Sequence, residues 1–479
     1  MHVSDGTYRS KRAEDALIAG GVLAGYPEIK DLQDLDSNNG VSRWSRWVSP
    51  DGRRQDTASR YLHPLLQDGA HENLHVLVQH KVLKVLLDEQ GKRAVGVEFV
   101  ANPNWPTAAE KVPESEETLT VRARKLVVLC AGAFGSPLIL QRSGIGPTNV
   151  LCRAGVETVL DLPGVGANLQ DHAFVVTAFK TNLEPHETAD DLFTGRLTLE
   201  DALAKGDKRL GWNGIDVTGK VRPTEGEVAA LSPAFQAAWA RDFKDNPNKP
   251  LLLAIFILGC GSPIPCPQTD GEQTRADRDS SSFGINPTPP PGQYLSVGMG
   301  IAYPYARGHI RITGPGINDA IDHDTPFYSD AAGVDLATHA WAYKKLRELV
   351  RRTAIYGGEL AATHPAFPVG SAARPSDGPA GCEVEDIVYS ADDDAALEAF
   401  LRAGVGTLWH SLGSAKMAPR EAGGAVNAAL DVYGVAGLKV ADMSIAPENV
   451  GANTAGTALV IGEKAADIIA GELGLGTKY

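Results

Sequence analysis

The stretch Lys125–Gly146, KLVVLCAGAFGSPLILQRSGIG, decides the fold. Lys125–Cys130 is a short continuous apolar run, the pattern of a strand buried on both faces. It passes straight into the small residues AGAFGSP and then a helix-like Pro137–Arg142, closed by Ser143-Gly144. A buried strand, a small-residue turn and a helix make one unit of a dinucleotide-type α/β sheet. The end of the chain follows the same order. Gly437–Ala441 (GLKVA) reads as a buried strand, Met443–Asn453 as a polar crossing, and Asn453–Ala470 as a helix with Leu459, Ile461, Ile468 and Ile469 among its apolar positions.

Between these ends the patterning changes. A helix is expected at Arg12–Gly25, strands at Asn73–Val78, Val82–Asp88 and Ala94–Val100, a loop at Pro103–Glu117, and a further strand from Thr118. A long middle region carries strands at Leu251–Leu258, Tyr294–Tyr303 and His309–Thr313. An amphipathic helix follows over about Asp335–Ala354, with Leu336, Leu346, Leu349 and Val350 on its apolar face. Asn286–Gly292 (NPTPPPG) reads as a loop or polyproline stretch. The acidic run Asp392–Asp394 reads as the start of the Ala395–Arg402 helix, where carboxylates favour free N–H groups, with Gly404 as its stop. The expected organisation is α/β and α+β. A discontinuous dinucleotide-type α/β domain holds an inserted β-sheet domain flanked by helices. The predicted boundaries are 1–50 for a connecting segment of the substrate domain, 51–174 and 404–479 for the dinucleotide-type domain, and 175–403 for the insert.

Composition narrows the function. The 479 residues include 45 Lys plus Arg against 59 Asp plus Glu, a formal net charge of −14. Such an acidic chain has no global field for holding nucleic acid, and no basic stripe offsets it. Five cysteines without a CxxC pair indicate neither a disulfide framework nor a zinc site. No stretch approaches the ~20 apolar residues of a membrane span, the first residues carry no apolar signal core, and GTKY is not an SKL-type tripeptide. The expectation is an intracellular, cytoplasmic protein without membrane, metal or nucleic-acid partners.

Three segments could carry chemistry. Gly132–Gly146 lets a backbone approach a ligand closely and opens a helix whose N-terminus favours an anion; taken alone, it is a tight turn. In Thr407–Pro419 (TLWHSLGSAKMAP), His410 sits among small and apolar residues; taken alone, it is a core histidine. In Asp442–Thr457 (DMSIAPENVGANTAGT), Asn453 opens a helix; taken alone, it is an N-cap.

Together, and with LPGVGANLQDH (Leu162–His172) between the first two, the segments resemble the glucose–methanol–choline (GMC) family of FAD-dependent oxidoreductases. The likeness narrows toward the fungal alcohol (methanol) oxidase branch through HVSDGTY, GRRQDTASRYLHP (Gly52–Pro64), YPYARGHIRI (Tyr303–Ile312), KMAPRE (Lys416–Glu421) and PENVGANT (Pro447–Thr454). The resemblance implies FAD as cofactor, a small alcohol as substrate and hydride transfer to flavin N5. It implies His410 as the base that takes the hydroxyl proton and Asn453 as the second catalytic residue, holding the substrate oxygen. Asp442, Asn453 and Thr454 are implied near the flavin, and Val82 through a backbone contact to adenine. The resemblance leaves alcohol oxidase and alcohol dehydrogenase both open, and the branch tilts the expectation toward O₂ as electron acceptor and toward a homo-oligomer.

One departure stands out. The GxGxxG turn that opens such a domain, and the βαβ unit that carries it, do not occur here. The expectation is a dinucleotide-type domain lacking its first unit, and a truncated chain inactive in isolation. Two other readings remain open: a non-catalytic remnant or interaction module, and a lyase or cyclase of the same fold that keeps FAD structurally. The presence of both His410 and Asn453 weighs against the last.

Overall fold

The computed structural model describes residues 3–102, 118–260, 289–379 and 384–476. The chain divides into two compact units. One takes Met1–Leu74, Ala173–Ala302 and Asp330–Leu408; the other takes His75–His172, Tyr303–Ser329 and Trp409–Tyr479.

The first unit is built on a seven-stranded sheet. Its order is Gly40–Arg43, Ile215–Val221, Leu252–Ile257, Tyr294–Ile301, Ala173–Thr181, Tyr356–Glu359, with Gly406–Thr407 also paired to Ala173–Thr181. Every pairing is antiparallel. The run LLLAIFIL predicts a strand covered on both faces, and every residue of Leu252–Ile257 is buried. The helix Val334–Arg351 packs on Tyr294–Ile301 and Leu252–Ile257. Of its expected apolar stripe it buries Leu346, Leu349 and Val350 and leaves Leu336 half-buried. Inside this unit Arg347 donates from Nε and Nη2 to the two carboxylate oxygens of Glu359, at 2.6 and 2.7 Å. A fork-to-fork pair of this kind satisfies two buried charges at once. The acidic run lies within the first turn of a helix, Ala391–Gly404, whose cap is Ser390 in a reciprocal box with Asp393.

The second unit carries the α/β element. Val127–Leu129 pairs in parallel with Leu438–Val440, Val127 opposite Leu438. The helix Gly132–Arg142 follows at once, and Val85, Leu129, Ile139, Leu140, Leu438 and Val440 share one core. A three-stranded antiparallel sheet, His80–Leu87, Ala94–Ala101 and Leu119–Arg122, accompanies it. A smaller sheet joins Ile321–Asp324, Gly308–Ile312 and Ala167–Leu169. Gln141, fully buried, stitches this sheet to the helix: its amide donates to the Ile310 carbonyl at 3.0 Å and accepts from the Ile312 N–H at 2.8 Å.

Three expectations shift. The helix was expected to open at Pro137, because proline suits a first turn; it opens at Gly132 and holds Pro137 in its interior. Pro137 has no N–H for the Ala133 carbonyl, and the Ser414 hydroxyl donates to that carbonyl instead. The expected strand Asn73–Val78 does not form. Among the described residues no neighbouring strand supplies a ladder there, and Val76, Leu77 and Val78 are exposed. The C-terminal helix runs Ala455–Glu472 with Thr454 at its cap position, so Asn453 lies just outside it.

Cys130, Cys152 and Cys260 are free thiols. Cys266, Cys382, the loop expected at Pro103–Glu117 and residues 286–288 of the proline-rich stretch lie outside the described residues. Among the described residues no helix is long and apolar enough to cross a membrane, and no group of three or more His, Cys, Asp or Glu could hold a metal ion.

Candidate active site

The site grows from three chain segments of the second unit: 164–172, 409–417 and 442–454. Leu162–His172, a stretch with few side chains of obvious chemistry, laces the other two together. Gln170 pairs its backbone with Leu412 in both directions at 3.0 Å. Its side-chain amide donates to the Pro447 carbonyl at 3.2 Å and accepts from the Asn449 N–H at 3.2 Å. Asn168 donates to the Gly413 carbonyl at 3.2 Å. The second and third segments join directly, with Gly413, Ala415 and Met417 donating to the carbonyls of Met443, Ser444 and Ile445. A turn chemistry rich in glycine makes this close approach possible. Gly166 has φ +79°, and a Cβ there would stand 2.2 Å from the Ile310 carbonyl oxygen.

His410 projects from the middle segment on a strained turn. Trp409 before it has φ +57°, a conformation rare outside glycine. Asp171, buried, holds the turn in place: one carboxylate oxygen accepts from the His410 N–H at 3.0 Å and the other from the Ser411 hydroxyl at 2.7 Å. The His410 ring meets a second histidine. Its Nδ1 lies 2.8 Å from Nδ1 of His172, with the two rings edge to face at 86°. His172 is wholly buried, and its Nε2 lies 3.0 Å from the Val450 carbonyl oxygen. Burial pushes the His410 imidazole down to about 4, so at neutral pH it is uncharged.

The remaining residues named from the sequence are placed as follows. Asn453 is exposed, on the same segment as Val450, a little beyond it. Thr454 is buried at the cap position but does not cap the Ala455–Glu472 helix with its side chain. Asp442 is half-buried. Its carboxylate accepts from the Gly132 N–H at 3.1 Å, from the Ser136 hydroxyl and from the Ser444 N–H at 2.7 Å. It therefore clamps the strand-to-helix turn to the third segment. Val82 lies within His80–Leu87 opposite Phe99, beside a register shift, and is about one-third exposed. His172, Asp171 and Gln170 were not singled out as functional. The signal for them was the run LQDH, whose polar residues lead directly into the apolar strand Ala173–Thr181 and are all buried here.

These residues fit a flavin dinucleotide in two respects. The Ala455–Glu472 helix opens with no side-chain cap and no acidic residue in its first turn, so its first N–H groups are available to an anionic ligand. A Cβ at Gly132 or Gly456 would meet nothing within 4 Å, so both turns face open space. Asn449 adds a buried amide Nδ2 without a partner beside Val450.

The GMC oxidoreductase models match residues 1–174 for the N-terminal part and 304–462 for the C-terminal part. Alcohol oxidase of Pichia angusta is 35% identical, over 99% of this chain and 74% of that protein. Alcohol oxidase of Candida boidinii is 34% identical over the same shares. Among solved structures, formate oxidase of Aspergillus oryzae superposes with a TM-score of 0.75 at 19% identity, over 98% of this chain and 72% of that one. An FAD-dependent oxidoreductase from Chaetomium thermophilum gives 0.69 at 23% identity, over 96% and 72%. Two family models in the expected order, and relatives above 30% identity along nearly the whole chain, leave one conclusion: the chain belongs to the GMC oxidoreductase family.

Proposed function

We propose that this protein is an FAD-dependent alcohol oxidase, taking a small primary alcohol and O₂ to an aldehyde and hydrogen peroxide, with His410 as the proton acceptor. The observation that carries the reading is the His410 imidazole itself: buried, neutral and anchored through its backbone and one ring nitrogen. The alcohol oxidases at 34–35% identity support the substrate class and the electron acceptor. FAD, when bound, supplies the hydride acceptor.

The chain's own residues then have separable tasks. Asp171 holds the His410 backbone, so the ring cannot swing with its turn. His410 accepts the hydroxyl proton. A ring with its pKa near 4 is a weak base for a resting alcohol. It becomes sufficient as the C–H bond breaks, because the carbinol oxygen then approaches a protonated carbonyl and turns strongly acidic. Asn453 holds the substrate oxygen without titrating. Thr454 and the open N-terminus of the Ala455–Glu472 helix would hold the negative side of the cofactor, with Asp442 fixing the Gly132 turn beside it. Val82 offers backbone to the adenine end.

The test uses the protein as its own cells make it. Its visible spectrum should carry the two-peaked flavin band, and primary alcohols should yield aldehyde and hydrogen peroxide one to one. His410→Ala should lower turnover by ~10²–10⁴ while flavin stays bound. A colourless protein, or wild-type turnover in His410→Ala, overturns the reading.

A further inference from the structure

The contact between the two buried histidines has a directional consequence. The Val450 carbonyl oxygen can only accept, so the His172 Nε2 that it faces at 3.0 Å carries a hydrogen. A neutral imidazole has a single N–H, which leaves Nδ1 of His172 as a lone pair. Nδ1 of His410 stands 2.8 Å from that lone pair, and two ring nitrogens so close share one hydrogen between them. That hydrogen belongs to His410. Its Nδ1 is therefore the N–H, and its Nε2 the free lone pair. The opposite arrangement needs a doubly protonated His172, a cation wholly enclosed by protein and pressed against another imidazole, which is costly.

We propose that His172 is a positioning residue that fixes the tautomer of His410, so that Nε2 of His410 is the atom that takes the substrate's proton. The proposal rests on the reading of His410 as the base. It adds what that reading leaves open: which nitrogen acts, and what selects it. The direction runs from the backbone outward, with the Val450 carbonyl setting His172 and His172 setting His410. Val450 lies on the same segment as Asn453, so the carbonyl that orients the relay belongs to the strip that is to hold the substrate oxygen.

The test is a ¹⁵N-histidine correlation spectrum of the whole protein, with the His410 signals identified by their loss in His410→Gln. At neutral pH, His410 should show a protonated Nδ1 and an unprotonated Nε2. In His172→Leu the His410 tautomer should mix or invert, and kcat should fall by ~10²-fold or more with KM changed less than ~3-fold. In His172→Asn the amide oxygen stands close to the lost Nδ1, so the tautomer and most of kcat should return. A protonated Nε2 on His410 in the unaltered protein overturns the proposal, as does a His172→Leu variant that keeps both tautomer and kcat. If His172→Leu does not fold, the unaltered protein and His172→Asn still decide. Failure of the base reading looks different, since His410→Ala would then keep its turnover whatever the tautomer.

Discussion

At the scale of single residues, the protonation of His410 has a measurable signature. A free imidazole titrates near 6.5, whereas burial holds this one to about 4. Protonation removes the lone pair, so activity is lost as pH falls. The acid limb of kcat/KM should therefore lie near 4, with a flat profile through 6.5; a limb near 6.5 measured on flavin-loaded protein would show that the ring is solvated when it works. Ser414 gives a second expectation. Its hydroxyl serves the Ala133 carbonyl that Pro137 cannot, so Ser414→Ala leaves a buried acceptor unserved and should cost about 1–3 kcal/mol in urea unfolding. That pairing also explains a limit of the sequence. Proline in the middle of an apolar helix reads as its first turn, and only a serine far along the chain reveals otherwise. His172 was hidden for a similar reason: nothing in LQDH says that its histidine meets another one beyond residue 400.

At the scale of elements, the glycine turn before Ala167–Leu169 is the least forgiving part of the site. Gly166→Ala puts a Cβ 2.2 Å from the Ile310 carbonyl oxygen in a left-handed backbone. It should cost more than ~2 kcal/mol, with the loss of His410 activity following the loss of fold; thermal unfolding at several pH values checks it. Gln141→Leu should cost a similar amount, because the side chain completes two ladder bonds of Gly308–Ile312 and leucine completes neither. Elements were legible where a pattern was self-sufficient. Leu252–Ile257, Val127–Leu129 and Leu438–Val440 are apolar runs that only a covered strand explains, and the periodic Val334–Arg351 explains itself. Asn73–Val78 was not legible, because a strand is defined by a neighbour and the residues alone cannot supply one. The candidate site divides in the same way. His410 and the 442–454 segment were visible as motifs, while the lacing by Gln170 and Asp171 depends on contacts between distant segments.

At the scale of the whole molecule, buried histidines tie stability to acidity. His339 and His364 in the first unit are held to about 4 by burial, as His410 is in the second. Each binds a proton more readily once unfolded, so the unfolded chain gains protons first as pH falls from about 6.5 toward 4. The stability these rings contribute is whole above 6.5 and is lost through that window. The urea midpoint should drop across it, and the drop should shrink in His364→Gln or His339→Gln if either variant folds. A midpoint unchanged between pH 6.5 and 4 would show that the three rings bind protons as readily in the folded chain as in the unfolded one. The sequence separation of 238 between His172 and His410 carries one more consequence. A ribosome adding ~5–20 residues per second needs roughly 10–50 s to cross that interval. For that time a histidine destined for complete enclosure waits on the nascent chain without its partner, and the chemistry of the protein cannot begin before the turn at Trp409 has been translated and strained into place.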